Sequence, residues 1–254
     1  MTDPIASGDY ARKQIYCPSA VVAWSHGSRF RLAAQLAGAA QGGRLLDYGC
    51  GDGTFIALTH GTFGTAIGAD IDAAQLDECR RRFEGLAQVE FVRTNALDGR
   101  DHRQAYDVVT CMEVLEHCTD PERLRVLDHL QRLVVPGGLV VISVPIEIGP
   151  ALLGKQLFRA IAAWRGHGDY QHRETYSPRE LAAAALARPN LARARYTVGT
   201  PEGPMHYCGH KGFDWRALER EIRARYAVEQ RLFTPMPMLG RALNSQVWFV
   251  CRTR

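Results

Sequence analysis

The sequence predicts an α/β protein built on a doubly wound, mostly parallel seven-stranded sheet whose last strand runs antiparallel. Three observations predict it. The stretch Leu45-Leu46-Asp47-Tyr48-Gly49-Cys50-Gly51-Asp52-Gly53 carries an apolar run into an acidic residue and three glycines, which reads as a buried strand ending in a turn that opens a helix. From there strand, turn and helix patterns repeat through residue 145, as in a parallel sheet covered on both faces. Two final β-patterned stretches, about 227–233 and 246–252, can pair as an antiparallel edge.

The elements follow in order. Residues 10–36 carry a mostly helical pattern broken at Pro18, with Tyr16, Trp24, His26, Arg29 and Phe30 placed to cap a pocket; Trp24 and Phe30 are expected to pack on the core. Strand 44–48 precedes helix 54–60, and strand 65–69 ends at Asp70-Ile71-Asp72, where Asp72 suits a helix cap. A helix bearing Leu76, Cys79 and Phe83 leads to strand 89–93, which ends at Thr94-Asn95-Ala96. Strand 107–111 runs into Met112-Glu113-Val114-Leu115-Glu116-His117. Asp120-Pro121 then opens a helix with an apolar face of Leu124, Leu127, Leu130 and Leu133, and Pro136-Gly137-Gly138 is expected to end it before strand 139–144.

Beyond Pro145 the alternation fails. Helices are expected over 151–165, 177–186 and 213–226, with a glycine hinge at 166–168, an extended piece at 193–199 and a loop from 200 to 212 that holds His206 and His210. The whole chain, 1–254, is expected to form one domain: an N-terminal helical cap over 1–43, a ligand-binding core over 44–145, and an acceptor-side insertion with the C-terminal strands over 146–254.

Composition narrows the classes. Hydrophobic residues at 46% and charged residues at 23% are ordinary for a soluble globular chain. The net charge of +4 is small and dispersed, and no basic run reads as a nucleic-acid tail. Seven cysteines without a C-x-x-C pair, and no signal peptide, point to a reducing, cytoplasmic setting. No apolar run is long enough to insert in a bilayer, and nothing in the chain specifies an oligomeric state.

The glycine turn also says what it does not bind. A dinucleotide fingerprint needs a third glycine where Thr54 or Ile56 stands, and a pyrophosphate would meet Asp47 and Asp52. Two carboxylates suit a cationic or hydroxyl-rich ligand.

On these motifs the chain resembles the class I S-adenosylmethionine-dependent methyltransferases, a Rossmann-like family, matched from about Leu45 through Pro145. The resemblance implies that Asp47, Gly49, Gly51 and Gly53 lie against the methionine part of S-adenosyl-L-methionine. Asp70 would accept from the ribose hydroxyls, Ile71 would lie on the adenine, and Asn95, Ala96 and Cys111 would complete the cofactor site, with Asn95 standing where the family usually has an acidic residue. The cofactor's sulfonium and ammonium cations fit a carboxylate-bearing loop.

The block Tyr106-Asp107-Val108-Val109, Glu113-Val114-Leu115-Glu116-His117 and Val135-Pro136-Gly137-Gly138 resembles the branch holding ubiquinone-pathway O-methyltransferases and small-RNA 2′-O-methyltransferases. That resemblance implies a divalent-metal site, Mg²⁺ or Mn²⁺, on Glu113, Glu116, His117 and His172, or alternatively His117 or His172 as a base near the acceptor. If 112–118 forms a helical turn, Glu113, Glu116 and His117 share a face. A small-molecule hydroxyl is the expected acceptor. Two alternatives stay open: a metal-dependent RNA 2′-O-methyltransferase, and a cofactor-binding partner subunit without transferase activity.

Overall fold

In the computed structural model the described residues are residue 5 and residues 7–164, 175–188, 191–200 and 203–254. The core strands are β1 (Arg44–Tyr48), β2 (Thr65–Asp70), β3 (Val89–Arg93), β4 (Tyr106–Met112) and β5 (Val134–Pro145). A two-stranded hairpin, β6 (Arg195–Thr200) with β7 (Gly203–Cys208), stands apart from the main sheet. Two more strands, β8 (Tyr226–Thr234) and β9 (Gln246–Thr253), complete the main sheet in the order β3-β2-β1-β4-β5-β9-β8. Neighbours from β3 to β5 are parallel, and β9 runs antiparallel to both β5 and β8. The last strand is therefore inserted inside the sheet, and β8 forms the edge.

Register explains why the strands are apolar on both faces. Leu45 pairs with Ala66 and Val108, and Val108 with Leu139, all turned to one hydrophobic cluster; Leu46 pairs with Ile67 and Val109, and Val109 with Val140, all turned to the other. The first face is covered by α1 (Ala20–Ala37), α2 (Thr54–Thr59) and α3 (Ala73–Arg82) through Ala33, Ala37, Phe55, Ile56 and Leu76. The second is covered by α4 (Asp120–Leu133) through Leu127, Leu130 and Leu133. Two further helices, α5 (Ala151–Trp164) and α6 (Pro178–Ala185), precede α7 (Trp215–Arg225), which covers that second face with Trp215, Leu218 and Ile222. Side-chain caps fix where helices begin: Asp72 accepts from the Ala74 and Gln75 amides, and Ser177 with Glu180 forms a capping box, each such cap being worth about 1 kcal/mol.

Three expectations change. Pro136-Gly137-Gly138 does not end a helix; α4 stops at Val134, whose backbone is already extended, and the glycines bulge β5, with Gly137 at φ 73°. The stretch expected as a loop from 200 supplies β7, because Tyr207 and Tyr196 stack at 5.3 Å across the hairpin. Trp24 is 44% exposed instead of packed in the core, while Phe30 stacks on Phe55. Within the N-terminal segment, α1 packs into one helical layer through Ala33 and Ala37. The expected hinge at 166–168 lies outside the described residues. Chain order reverses between β1 and β4, so their carboxyl ends open a crevice where ligands of such sheets bind.

Candidate functional site

The turn after β1 is shaped by backbone strain that only glycine accepts cheaply. Gly49, Gly51 and Gly53 have φ of 79°, 52° and 70°, and a Cβ on Gly49 would come within 2.2 Å of Val114 Cγ2. The Gly49 and Cys50 amides donate to the Ala69 carbonyl at 2.7 and 3.0 Å, and the Gly51 amide donates to Asp70 Oδ2 at 2.8 Å. Asp70 Oδ1 accepts from the Asp72 amide at 3.0 Å. Each oxygen of Asp70 thus spends one lone pair on the loop and keeps one.

Asp47, at the end of β1, is 2% exposed and accepts from Thr110 Oγ1 at 2.7 Å. Burial pushes its carboxyl up to about 7, against the Thr110 hydrogen bond and with help from Asp70. Asp47 lines a cavity of about 760 Å³ together with Gly49, Gly51, Gln75, Met112 and Glu113. Residues 8–12 and α1 close it from above: the Tyr10 amide donates to Asp52 Oδ2 at 2.8 Å. The Tyr10 hydroxyl meets His26 Nδ1 at 2.6 Å and accepts from Arg29 at 3.0 Å. Burial, then Arg29, pushes His26 down to about 3, so this imidazole is neutral and Nδ1 accepts.

A second cluster stands beyond β4. Glu113 takes a left-handed φ of 58° and turns to Arg29, 3.4 Å away, so Glu113, Glu116 and His117 do not form the expected helical face. Glu116 is fully buried, and among the described residues neither carboxylate oxygen has a hydrogen-bond partner. Burial first, and the neighbouring Glu113 charge second, raise its carboxyl well above the ordinary range. His117 Nδ1 lies 3.2 Å from the Cys208 carbonyl, which can only accept, so Nε2 presents its lone pair. That atom faces His210 Nε2 at 3.1 Å. His210 Nδ1 lies 3.8 Å from Glu147 Oε1, and ion pairs from Lys155 at 2.6 Å and Arg159 at 2.9 Å overcome burial to hold Glu147 below its ordinary value. Burial and His210 together lower His117.

The 3.1 Å between His117 Nε2 and His210 Nε2 is a hydrogen bond when His210 Nε2 carries the proton; with that proton on Nδ1 the two nitrogens and the unpartnered Glu116 carboxyl turn acceptor atoms toward a common point that a cation could occupy. Candidate ligand atoms of Glu116, His117 and His210 all lie within 4.8 Å of one another. The donor set, one carboxylate and two imidazoles, with the far nitrogen of His117 already engaged by the Cys208 carbonyl, fits a divalent transition-type ion.

Of the sequence-predicted residues, Asp47, Gly49, Gly51 and Glu113 line the cavity. Gly53 lies at the mouth of α2, and a Cβ there would press on Cys79, Phe83 and Phe91. Asp70 ends β2 and Ile71 follows it, 54% exposed, and Asn95 and Ala96 are exposed in the turn after β3. The Cys111 side chain points into the core cluster with Tyr48 and Leu115, and its neighbour Met112 faces the cavity instead. His172 lies outside the described residues. The cluster's third member is His210, read from sequence as a loop residue. Glu147 was missed as well, although an acidic residue just past the carboxyl end of a core strand is a signal at that edge of a parallel sheet.

The chain matches the methyltransferase domain family over residues 26–188. It is 37% identical over 127 residues to a ubiquinone biosynthesis O-methyltransferase of Klebsiella pneumoniae, 49% of this chain and 52% of that one. With the enzyme of the same name from Bordetella avium it shares 35% over 158 residues, 59% of this chain and 63% of that one. The chain thus spans about half to two thirds of the length of these curated relatives. In fold it is similar to the crystal structure of the PH0226 protein of Pyrococcus horikoshii, with a TM-score of 0.61 at 14% identity over 98% of this chain and 100% of that one. It is also similar to the N-methyltransferase NodS of Bradyrhizobium japonicum in complex with S-adenosyl-L-homocysteine, with a TM-score of 0.56 at 12% identity over 98% and 94%. No helix among the described residues is long and apolar enough to cross a membrane.

Proposed function

The chain belongs to the methyltransferase domain family, and on that premise we propose that it transfers the methyl group of S-adenosylmethionine to a hydroxyl of a small molecule, with a divalent cation held by Glu116, His117 and His210. The observation that carries the oxygen-directed, cation-assisted reading is the buried Glu116 carboxylate, without a donor, set against two imidazoles within reach. The O-methyltransferase names of relatives at 35–37% identity support oxygen as the accepting atom.

Each residue then has a task. Asp47 gives up its proton to face the cofactor's ammonium, and the left-handed glycines let backbone amides approach closely. Asp70 accepts from the ribose with its remaining lone pairs, Ile71 covers the adenine, and Asn95 accepts from its amino group. What the cofactor supplies when bound is an activated methyl and its leaving group. What the cation supplies is a Lewis acid that lowers the pKa of a hydroxyl. Glu113, held by Arg29, closes the boundary between cavity and cluster. Arg29 also fixes Tyr10 against His26, which keeps the strap over the cavity and excludes water.

The test is transfer of labelled methyl from S-adenosylmethionine to a panel of catechols, glycosides and short RNAs, with and without EDTA. Transfer to a small-molecule hydroxyl, lost in EDTA and restored by Mn²⁺, is the expected result. Full activity in chelator sinks the cation. Transfer to RNA alone, falling steeply with salt, moves the acceptor to a nucleic acid, and cofactor binding with no transfer to any acceptor makes the chain a partner subunit.

A further inference from the structure

The cation cluster is assembled from two pieces of chain that share no secondary structure: Glu116 and His117 follow β4, whereas His210 follows the separate hairpin β6–β7. Something must hold those pieces at fixed separation. Backbone contact does part of this, since the Cys208 amide donates to the His117 carbonyl at 2.8 Å while the Cys208 carbonyl accepts from His117 Nδ1.

The rest is done by one side chain on the lead-in to the hairpin, two residues before β6, where the Gly209 amide donates to the Ala194 carbonyl at 2.9 Å. Arg193 donates to the Glu116 carbonyl through Nη2, to the Cys118 carbonyl through Nη1 at 3.2 Å, and to the Gly209 carbonyl through Nη2 at 3.3 Å. The first two acceptors flank His117 and the third immediately precedes His210. Its guanidinium lies 5.1 Å over the Phe213 ring, and Phe213 is itself 1% exposed in the core. Because these bonds go to backbone carbonyls and leave both imidazoles untouched, they set where the ligands stand without competing for their lone pairs. We propose that Arg193 is the positioning residue of the cation site, a planar fork that locks the β4 loop to the hairpin so that Glu116, His117 and His210 converge. This rests on the cation reading above.

Lysine keeps the charge and most of the stem but has no planar fork, so it cannot hold carbonyls on both pieces in one geometry. Arg193→Lys is expected to weaken Mn²⁺ binding to the otherwise metal-free full chain by about 10- to 100-fold, the range for losing a group that orients metal ligands. Calorimetry reads this directly, with S-adenosyl-L-homocysteine affinity changing less than about twofold. Arg193→Ala is expected to recover Mn²⁺ affinity when methylguanidinium is added, an effect that general loosening of the fold would not give. Unchanged Mn²⁺ affinity in Arg193→Lys overturns the proposal. If the unsubstituted chain itself binds no Mn²⁺, the cation reading fails, and the clamp is then judged on the His117 Nδ1 proton by NMR. Loss of that slowly exchanging signal in Arg193→Lys keeps Arg193 as the residue that positions His117, whereas its persistence overturns that role too.

Discussion

Asp47 and Glu116 are both buried carboxylates near the carboxyl ends of neighbouring strands, Asp47 in the last two residues of β1 and Glu116 four residues past β4, and both are shifted toward the protonated form by burial. Asp47 has a donor of its own in Thr110 and belongs to a turn whose other polar groups are closed by Ala69 and Asp70. Glu116 has no donor among the described residues. A buried charge without partners is costly, whereas a hydrogen-bonded one near neutrality can switch with a ligand. The first region is complete by itself and tuned for exchange of a proton. The second leaves its carboxylate without a partner among the described residues, which is what the proposed cation would supply.

The largest effect expected from this contrast is at Glu116. Glu116→Ala should weaken Mn²⁺ binding by on the order of 100-fold or more, since even groups one step removed from a metal cost about 10- to 100-fold. Affinity for S-adenosyl-L-homocysteine should stay within about twofold. In EDTA, Glu116→Gln should melt no lower than the unsubstituted chain, because no hydrogen bond to the carboxylate is lost. Calorimetry with Mn²⁺ and a melting curve in chelator check both halves, and a Glu116→Gln protein that melts well below the parent would show that the carboxylate is satisfied after all.

Next in size is the first region's own anchor. Asp70→Ala removes acceptors used by the Gly51 and Asp72 amides as well as those proposed for the ribose. Cofactor affinity should fall by about 1.5–3 kcal/mol, the range for hydrogen bonds to a charged group, while Mn²⁺ affinity stays unchanged. If the Mn²⁺ site weakens in step, the two regions are one cooperative unit and the contrast breaks.

The same contrast explains what was legible in the sequence. The turn after β1 is contiguous, and its glycines are demanded by φ values that other residues resist, so letters and spacing report geometry directly. The strand and helix pattern of the core was legible for a similar reason, since Leu45 and Leu46 face opposite helical layers and both must be apolar. The cluster of Glu116, His117 and His210 was only half legible. Its first half follows β4 in sequence, but the second depends on where a hairpin outside the main sheet docks, and nothing local to Cys208-Gly209-His210 encodes that. Glu113 misled for a different reason: spacing alone put it on a helical face with Glu116, and its left-handed backbone took it to Arg29 instead.

The smallest effect, and the one that tests the tuning of the first region, is a pH dependence at Asp47. Its carboxyl in the folded, unliganded chain is raised to about 7, chiefly by burial, while the unfolded value is about 3.9. Between roughly pH 4 and pH 7 the folded chain therefore holds a proton that the unfolded chain has lost, and this group's contribution to unliganded stability declines as pH rises through that window. A cation faces the ionised form, so binding runs the other way. The ionised fraction climbs from about a tenth at pH 6 to about nine tenths at pH 8, and S-adenosyl-L-homocysteine affinity should rise about tenfold across that range with release of a proton. Calorimetry in buffers of different ionisation enthalpy measures both quantities. Asp47→Asn keeps the shape and can still accept a hydrogen bond from Thr110, and it should bind weakly with a flat profile. A flat profile in the unsubstituted chain would mean that Asp47 is already ionised at pH 6, and that its partners, like those missing at Glu116, include something beyond Thr110.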